Sequence, residues 1–255
     1  SLAGGTGSGL GTFLASVIAE NPNKKVGLVI ILPSMNESLQ ARINTYEALS
    51  EIIEIKNELC SIFILDNNQR EDKFSINRSF ANLFEAYINV AKNTSIRGVI
   101  DIAEQKKLLE TPGIAMIHKA TGTKEDLLST INEGIYVSLE PNKRVKYIGL
   151  SQPDTKDTID VADVINVVGE PIDYYCGYGK TEDTVLYLAG LSFPKTFINK
   201  LAESIKAEQD RVKKVMEDDD LSMDMNINFL ATKPVEKPQK PKSTMRDRLV
   251  ASITK

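Results

Sequence analysis

Two short apolar runs rich in Val and Ile, residues 24–33 (KKVGLVIILP) and 59–66 (LCSIFILD), constrain the fold most. Neither alternates polar with apolar residues. That is the pattern of strands buried on both faces, which belongs to parallel sheets covered by helices. Residues 38–55 between the runs, and 10–20 before the first, have helix length and periodic apolar positions. Strand, helical crossover and strand make a βαβ unit, so the fold class is α/β.

The next segment, 76–92, carries Phe80, Leu83, Phe84, Tyr87 and Ala91 at spacings of three and four, with further apolar residues off that face. It predicts a mostly buried helix at the centre of the molecule. Beyond about residue 113, strand-like runs at 113–119, 145–151, 173–178 and 184–193 are separated by helix-like 125–132 and 161–168. These predict a second α/β domain with a smaller sheet. From 195 to 216, Ile198, Leu201, Ile205, Val212 and Val215 fall on one stripe, predicting a long amphipathic helix closed by the acidic run 217–220. From about residue 226, Pro234, Pro238 and Pro241 alternate with lysines and leave no core to build, so a flexible tail is expected. Residues 233–255 hold seven Lys or Arg against two acids, and 245–253 could form a short basic amphipathic helix.

The chain of 255 residues is 42% hydrophobic and 26% charged, enough for one large or two modest domains. Its net charge of -4 argues against a surface that coats nucleic acid as a whole. Cys60 and Cys176 form no CxxC pair, which points to a reducing compartment and no structural zinc. His118 is the only histidine and stands in a strand-like run, so a structural role is expected and two-histidine metal sites are excluded. No stretch approaches the apolar length of a membrane helix and the start lacks the charged n-region of a signal peptide, so a cytoplasmic protein with no membrane partner is expected. The chain begins at Ser1 with a glycine-rich stretch that normally follows a strand, and so reads as lacking its N-terminal part.

That stretch, Gly4, Gly5, Thr6, Gly7, Ser8 and Gly9, opens a helix, and it offers backbone N–H groups to an anion with no Cβ in the way. It lacks the lysine of a P-loop and misses the Rossmann spacing. Taken alone it could be a glycine-rich turn. It resembles, however, the GGTG[ST]G loop of the tubulin/FtsZ superfamily, and the order of the following motifs extends the resemblance over residues 1 to 215. The run 26–33 with 34–49 resembles the strand and ribose loop of that family, and Phe63-Ile-Leu-Asp66-Asn67 resembles its base-binding segment. Segment 76–92 is similar to the core helix, and Val99-Ile100-Asp101-Ile102-Ala103-Glu104 resembles the acid-bearing loop that follows it.

The resemblance implies a GTPase entered partway through a Rossmann-type domain. Residues 1–75 would be the remaining part of the GTP-binding domain, 76–93 the core helix, 94–194 a second, GTPase-activating α/β domain, 195–225 the C-terminal helix and 226–255 the flexible basic tail. It implies GTP or GDP with Mg²⁺ as ligands. Phosphate contacts would come from Gly4 to Gly9, further contacts from Glu37, Arg42 and Asn67, and a second base contact from Asn77, with Asn82 as the alternative and Phe74 or Phe80 stacking on the base. Asp101 and Glu104 would be the catalytic pair, acting in trans on GTP held by the next subunit of a head-to-tail filament. A D-x-x-E pair in isolation is ordinarily a solvated helix face, and its weight here comes from its place after the core helix. Val99 stands where the family has asparagine, a departure that removes one polar contact. The long C-terminal helix with a basic, proline-spaced tail looks like the plasmid- and phage-encoded TubZ type, which implies a DNA-binding helix-turn-helix adaptor as a partner of the tail. An FtsZ-like division protein and a tubulin-like scaffold with little GTPase activity stay open.

Overall fold

A computed structural model describes residues 1–70, 72–154 and 159–218. The apolar runs become β1 (Leu28–Leu32) and β2 (Ser61–Asp66), parallel neighbours in register from Leu28 opposite Ile62 to Leu32 opposite Asp66. The segments before and between them are α1 (Gly11–Ala19), preceded by a π-helical turn at Thr6–Leu10, and α2 (Leu39–Ile55). Helix α2 starts where the sequence predicts because Ser38 caps it, its side chain accepting the Ala41 N–H at 3.2 Å.

After α3 (Lys73–Val90) come α4 (Ile102–Glu110), β3 (Gly113–Ala120), α5 (Lys124–Asn132), β4 (Tyr147–Pro153), α6 (Val161–Val168), β5 (Asp173–Gly179) and β6 (Thr184–Leu191). The described strands form one six-stranded sheet in the order β1-β2-β3-β6-β4-β5. The strands beyond residue 113, expected to form a smaller sheet, make the β3-β6-β4-β5 portion of this same sheet, in which β6 runs antiparallel to both neighbours. It joins the first pair through two residue pairs only, Ser61 with Gly113 and Ile62 with Ile114. Strands β2 and β6 are buried along their whole length, as their uninterrupted apolar sequences require.

Helix α3 is less buried than its periodicity predicts. Only Ile76, Tyr87 and Val90 of its 18 residues are buried, and Phe74 is 79% exposed. Its inner stripe meets the sheet through Tyr87, 4.3 Å from the Tyr187 ring, and through Phe80 and Phe84 against Phe63. One stripe is all that a helix lying on a single sheet face needs to cover. Helix α7 (Lys195–Asp218) carries the predicted stripe, and the chain divides into compact units at Lys200 and Leu201. The acidic run from residue 219 on, the basic tail and the proposed helix at 245–253 lie outside the described residues.

His118 sits on β3, 3% exposed, with its Nε2 atom buried and unpartnered and its ring edge-on to Tyr136 at 5.7 Å. Burial pushes its pKa down to about 4, opposed more weakly by the backbone of Thr130. A depressed histidine pKa leaves full stability above the unfolded value near 6.5 and removes it as pH falls toward the folded value of about 4. Urea titrations between pH 7 and pH 4 should therefore show His118 costing about 3 kcal/mol at the acid end, and a loss that is no smaller in His118→Gln would refute this.

Candidate functional site

Parallel strands β1 and β2 end side by side at Leu32 and Asp66, and the residues singled out for nucleotide contact gather at that edge. The Leu2 N–H donates to the Ile31 carbonyl at 3.1 Å, which fixes the start of the glycine-rich stretch beside the end of β1. Asn44 on α2 donates to the Ala3 carbonyl at 3.1 Å and holds the same stretch from the other side. Asn68 ties the two strand exits together: its amide donates to the Pro33 carbonyl and its oxygen accepts the Met35 N–H at 2.7 Å. This crevice outside the carboxyl ends of parallel strands is where open α/β sheets bind ligands.

The glycine-rich stretch is not an open loop here. Gly5 already has helical angles (φ -56°, ψ -38°), and Thr6–Leu10 winds as a π-helical turn into α1. Ser8 anchors the turn by donating through both its N–H and its hydroxyl to the Gly4 carbonyl at 3.0 Å. Glycine permits the winding at Gly7, where a Cβ would lie 1.9 Å from the Ser1 carbonyl oxygen. At Gly4, Gly5 and Gly9 a Cβ would meet nothing within 4 Å, so these three leave open space over the first turn of the helix. First-turn N–H groups have no intrahelical acceptor and carry the positive end of the helix dipole, which suits an anion.

Two orphaned polar atoms mark the same crevice. Asn67 is 9% exposed and its Oδ1 is buried without a partner, and the Nε of Arg42, in the first turn of α2, is likewise buried and unpartnered. Glu37 is engaged: its carboxylate accepts the Ser34 N–H and pairs with Lys73 at 2.6 Å, which ties the first turn of α3 to the crevice. Asn77 lies exposed one turn further along α3, near the exposed Phe74. Phe80 is instead committed to Phe63 and Phe84, at 5.2 and 5.8 Å, and Asn82 lines a different cleft with Lys119 and Ser151. Asn68 and Lys73 were missed at the level of sequence. The run Asp66-Asn67-Asn68 was a turn signal, but nothing local pointed to Lys73.

Asp101 and Glu104 lie beyond the other end of α3. Its 18 residues span roughly 27 Å at 1.5 Å per residue. The two acids form a reciprocal capping box on α4: Asp101 Oδ1 accepts the Glu104 N–H at 2.8 Å and Glu104 Oε2 accepts the Asp101 N–H at 3.1 Å. The helical turn expected there extends to a nine-residue helix. The segment between α3 and α4 is fastened to the sheet edge. The Tyr178 N–H donates to the Gly98 carbonyl at 3.0 Å, the Arg97 guanidinium lies 3.9 Å over the Tyr178 ring, and Ser95 donates to Asp154 at 2.6 Å. Contact is that close because β5 presents glycines. A Cβ on Gly177 would come within 2.5 Å of the Ile100 nitrogen, and one on Gly179 within 2.5 Å of the Asn93 side chain.

A βαβ unit with a glycine-rich helix start at its strand ends, joined by a long helix to an antiparallel-capped sheet, defines the tubulin-like class of α/β protein. No protein-family model matches the chain. It is 30% identical over 237 residues to the tubulin-like protein TubZ of Clostridium botulinum C phage, an alignment covering 90% of this chain and 63% of that protein. The chain thus spans less than two thirds of that curated relative. The crystal structure of Clostridium botulinum phage c-st TubZ superposes with a TM-score of 0.76 at 27% identity, covering 83% of this chain and 70% of that one. The GDP-form protofilaments of Bacillus thuringiensis serovar israelensis TubZ share the fold, with a TM-score of 0.70 at 21% identity over 85% of this chain and 66% of that one. In sequence and in fold the chain is similar to TubZ-type proteins of the tubulin/FtsZ superfamily.

The glycine rail on β5 is directly testable. Gly177→Ala should push the 93–100 segment off the edge at a cost of about 1–3 kcal/mol, seen as faster hydrogen exchange at Gly98 to Asp101. Unchanged exchange there would show that the close approach at Gly177 does not hold the segment.

Proposed function

We propose that this chain binds GTP at the β1–β2 crevice, polymerises head to tail, and hydrolyses the nucleotide in trans with Asp101 and Glu104 of the adjoining copy. The observation that carries the reading is the separation of two incomplete half-sites by the length of α3. One pole offers a helix N-terminus and the unpartnered Asn67 Oδ1 and Arg42 Nε, the other the exposed Asp101 with the half-buried Glu104. Neither pole holds the groups of the other, so a second copy must complete the site. That the phage relative is named tubulin-like, and that a fold neighbour was determined as GDP-form protofilaments, supports the reading.

In this scheme Gly4 to Gly9 receive the phosphates, and Arg42 and Glu37 line the ribose side. Asn67 and Asn77 address the base, with Phe74 free to stack on it. Mg²⁺ would enter with the phosphates and would supply positive charge to offset theirs. The oxygens of Asp101 and Glu104 not used in the capping box orient a water and take its proton. The water oxygen bonds to the γ-phosphorus, and the bond to the β–γ bridging oxygen breaks, releasing phosphate and GDP. The basic stretch 233–255 is assigned to a DNA-binding helix-turn-helix adaptor, and the filament to segregation of plasmid or phage DNA in the host cytosol. The phage origin of the relative supports that assignment. Among the described residues, no helix is long and apolar enough to cross a membrane.

The capping box favours a second reading, in which the acids only start α4 and the filament is a scaffold. Glu104→Gln separates the two, since glutamine keeps the box while removing the charge. For the protein together with any segment preceding Ser1, phosphate release should appear only above a critical concentration. Glu104→Gln should polymerise normally and release phosphate about 100-fold more slowly. Turnover at the parent rate in Glu104→Gln leaves the acids as a helix cap and the scaffold reading in place. Asn67→Ala should weaken guanine nucleotide binding about tenfold, measured by titration with a fluorescent GTP analogue.

A further inference from the structure

A cleft of about 300 Å³ opens between the end of α2, the starts of β3 and β4, and the end of β6. Lys56, Arg144, Lys146 and Lys195 line it. None of the four makes an ion pair among the described residues. The acid beside them, Glu140, is already committed: its two oxygens accept the Thr196 N–H at 2.8 Å and the Thr196 hydroxyl at 3.1 Å, at the start of α7. Four cations therefore converge on one concavity against a single carboxylate, an excess of positive charge in a chain whose net charge is -4.

The backbone is shaped to keep the cleft open. Gly113 (φ +130°) and Gly190 (φ +73°) lie against each other at its floor, where a Cβ on Gly113 would sit 2.9 Å from the Gly190 Cα. A Cβ on Gly190 would strike the Lys146 side chain at 2.6 Å, so glycine there lets that lysine cross the floor. The β3–β6 register shifts at Ile114 and Ala115 beside them, the kind of irregularity that re-aims side chains at sites. Lys146 donates to the Pro112 carbonyl at 2.9 Å, which fixes the ammonium in the cleft and leaves two of its three protons to give. Its pKa is lowered by burial and then by the Arg144 charge, as expected where positive charge is uncompensated.

We propose that this cleft binds a compact, multiply charged phosphoanion of di- or triphosphate size. The concavity suits a small anion that several cations can surround, and it is too confined for a nucleic-acid duplex. It is separate from the nucleotide crevice. Lys56 follows the last residue of α2, whose first turn faces that crevice, and the 17 residues of the helix span roughly 25 Å.

Pyrophosphate is the probe, and lysine acetylation read by peptide mass spectrometry is the measurement, because it resolves this cleft from the nucleotide crevice. Pyrophosphate should slow acetylation of Lys56, Lys146 and Lys195 while Lys24, Lys25 and Lys106 react at their free rate. Arg144→Glu and, separately, Lys195→Glu change exposed residues and should raise the pyrophosphate concentration needed for protection about tenfold, with circular dichroism unchanged. The proposal is overturned by uniform protection of all lysines, by equal protection from sodium chloride at matched ionic strength, or by the variants behaving as the parent. It is also overturned if a short DNA duplex protects the three lysines at lower phosphate concentration than pyrophosphate does, since the cleft would then be reading a polymer backbone.

Discussion

The arrangement of the molecule depends on a buried relay of hydroxyl groups centred on Tyr187 of β6. Its hydroxyl donates to Ser61 Oγ at 2.8 Å, and the Ser61 hydroxyl donates to the Leu108 carbonyl near the end of α4. Its ring meets Tyr87 of α3 at 4.3 Å, and the Tyr87 hydroxyl donates to the Gln105 carbonyl on α4 at 2.7 Å. Gln105 returns the bond to the Tyr87 carbonyl at 2.6 Å. One side chain thus links β2, β6, α3 and α4, at the place where the β1–β2 pair meets the rest of the sheet through only two residue pairs. Burial raises the phenol pKa of both tyrosines well above the ordinary value, so both remain neutral donors. An unpaired buried hydroxyl costs about 1–3 kcal/mol, which makes every member of the relay dependent on its neighbours.

That relay also sets where α4 starts. With Gln105 held against Tyr87, the first turn of α4 is placed one residue upstream, and the segment from Asn93 to Ile100 must span from the end of α3 to that point along β5. Edge strands expose unpaired backbone groups, and here the Gly98 carbonyl takes one of the β5 N–H groups while Arg97 covers the Tyr178 ring. The same segment therefore closes a sheet edge and presents Asp101. Stability and the proposed chemistry share the backbone, which is why Gly177 and Gly179 stand where side chains would separate them and Gly98 (φ +114°) takes a backbone angle that favours glycine.

What could be read from sequence followed the strength of local signals. The apolar runs gave β2 and β6, and the periodic segments gave α2 and α6, whose starts the structure shows capped by Ser38 and Asp160. Helix α4 was harder, because IAEQKKLLE buries only Leu108, and its one clear mark was the D-x-x-E spacing that begins it. The exposure of α3 was misjudged because periodicity identifies an apolar face without saying what lies opposite it. In the candidate site, the glycines revealed backbone freedom but not the π-helical turn they adopt. Asn68 and Lys73 act across 33 or more residues, through contacts that exist only once β1, β2 and α3 have met.

The capping box and the catalytic reading are compatible on geometric grounds, and together they explain the spacing of the acids. A carboxylate has two oxygens and about four lone-pair directions, and the box uses one oxygen of each acid on a backbone N–H. Those bonds fix both rotamers, so in the proposed filament the remaining oxygens would meet a neighbouring copy already oriented. An acid pair on an unconstrained surface would have to be ordered during assembly, at an entropic cost drawn from the contact itself. Placing the pair at a helix N-terminus sets two carboxylates against the positive end of the helix dipole. The feature that makes Asp101 and Glu104 look structural is the one that would prepare them to act in trans.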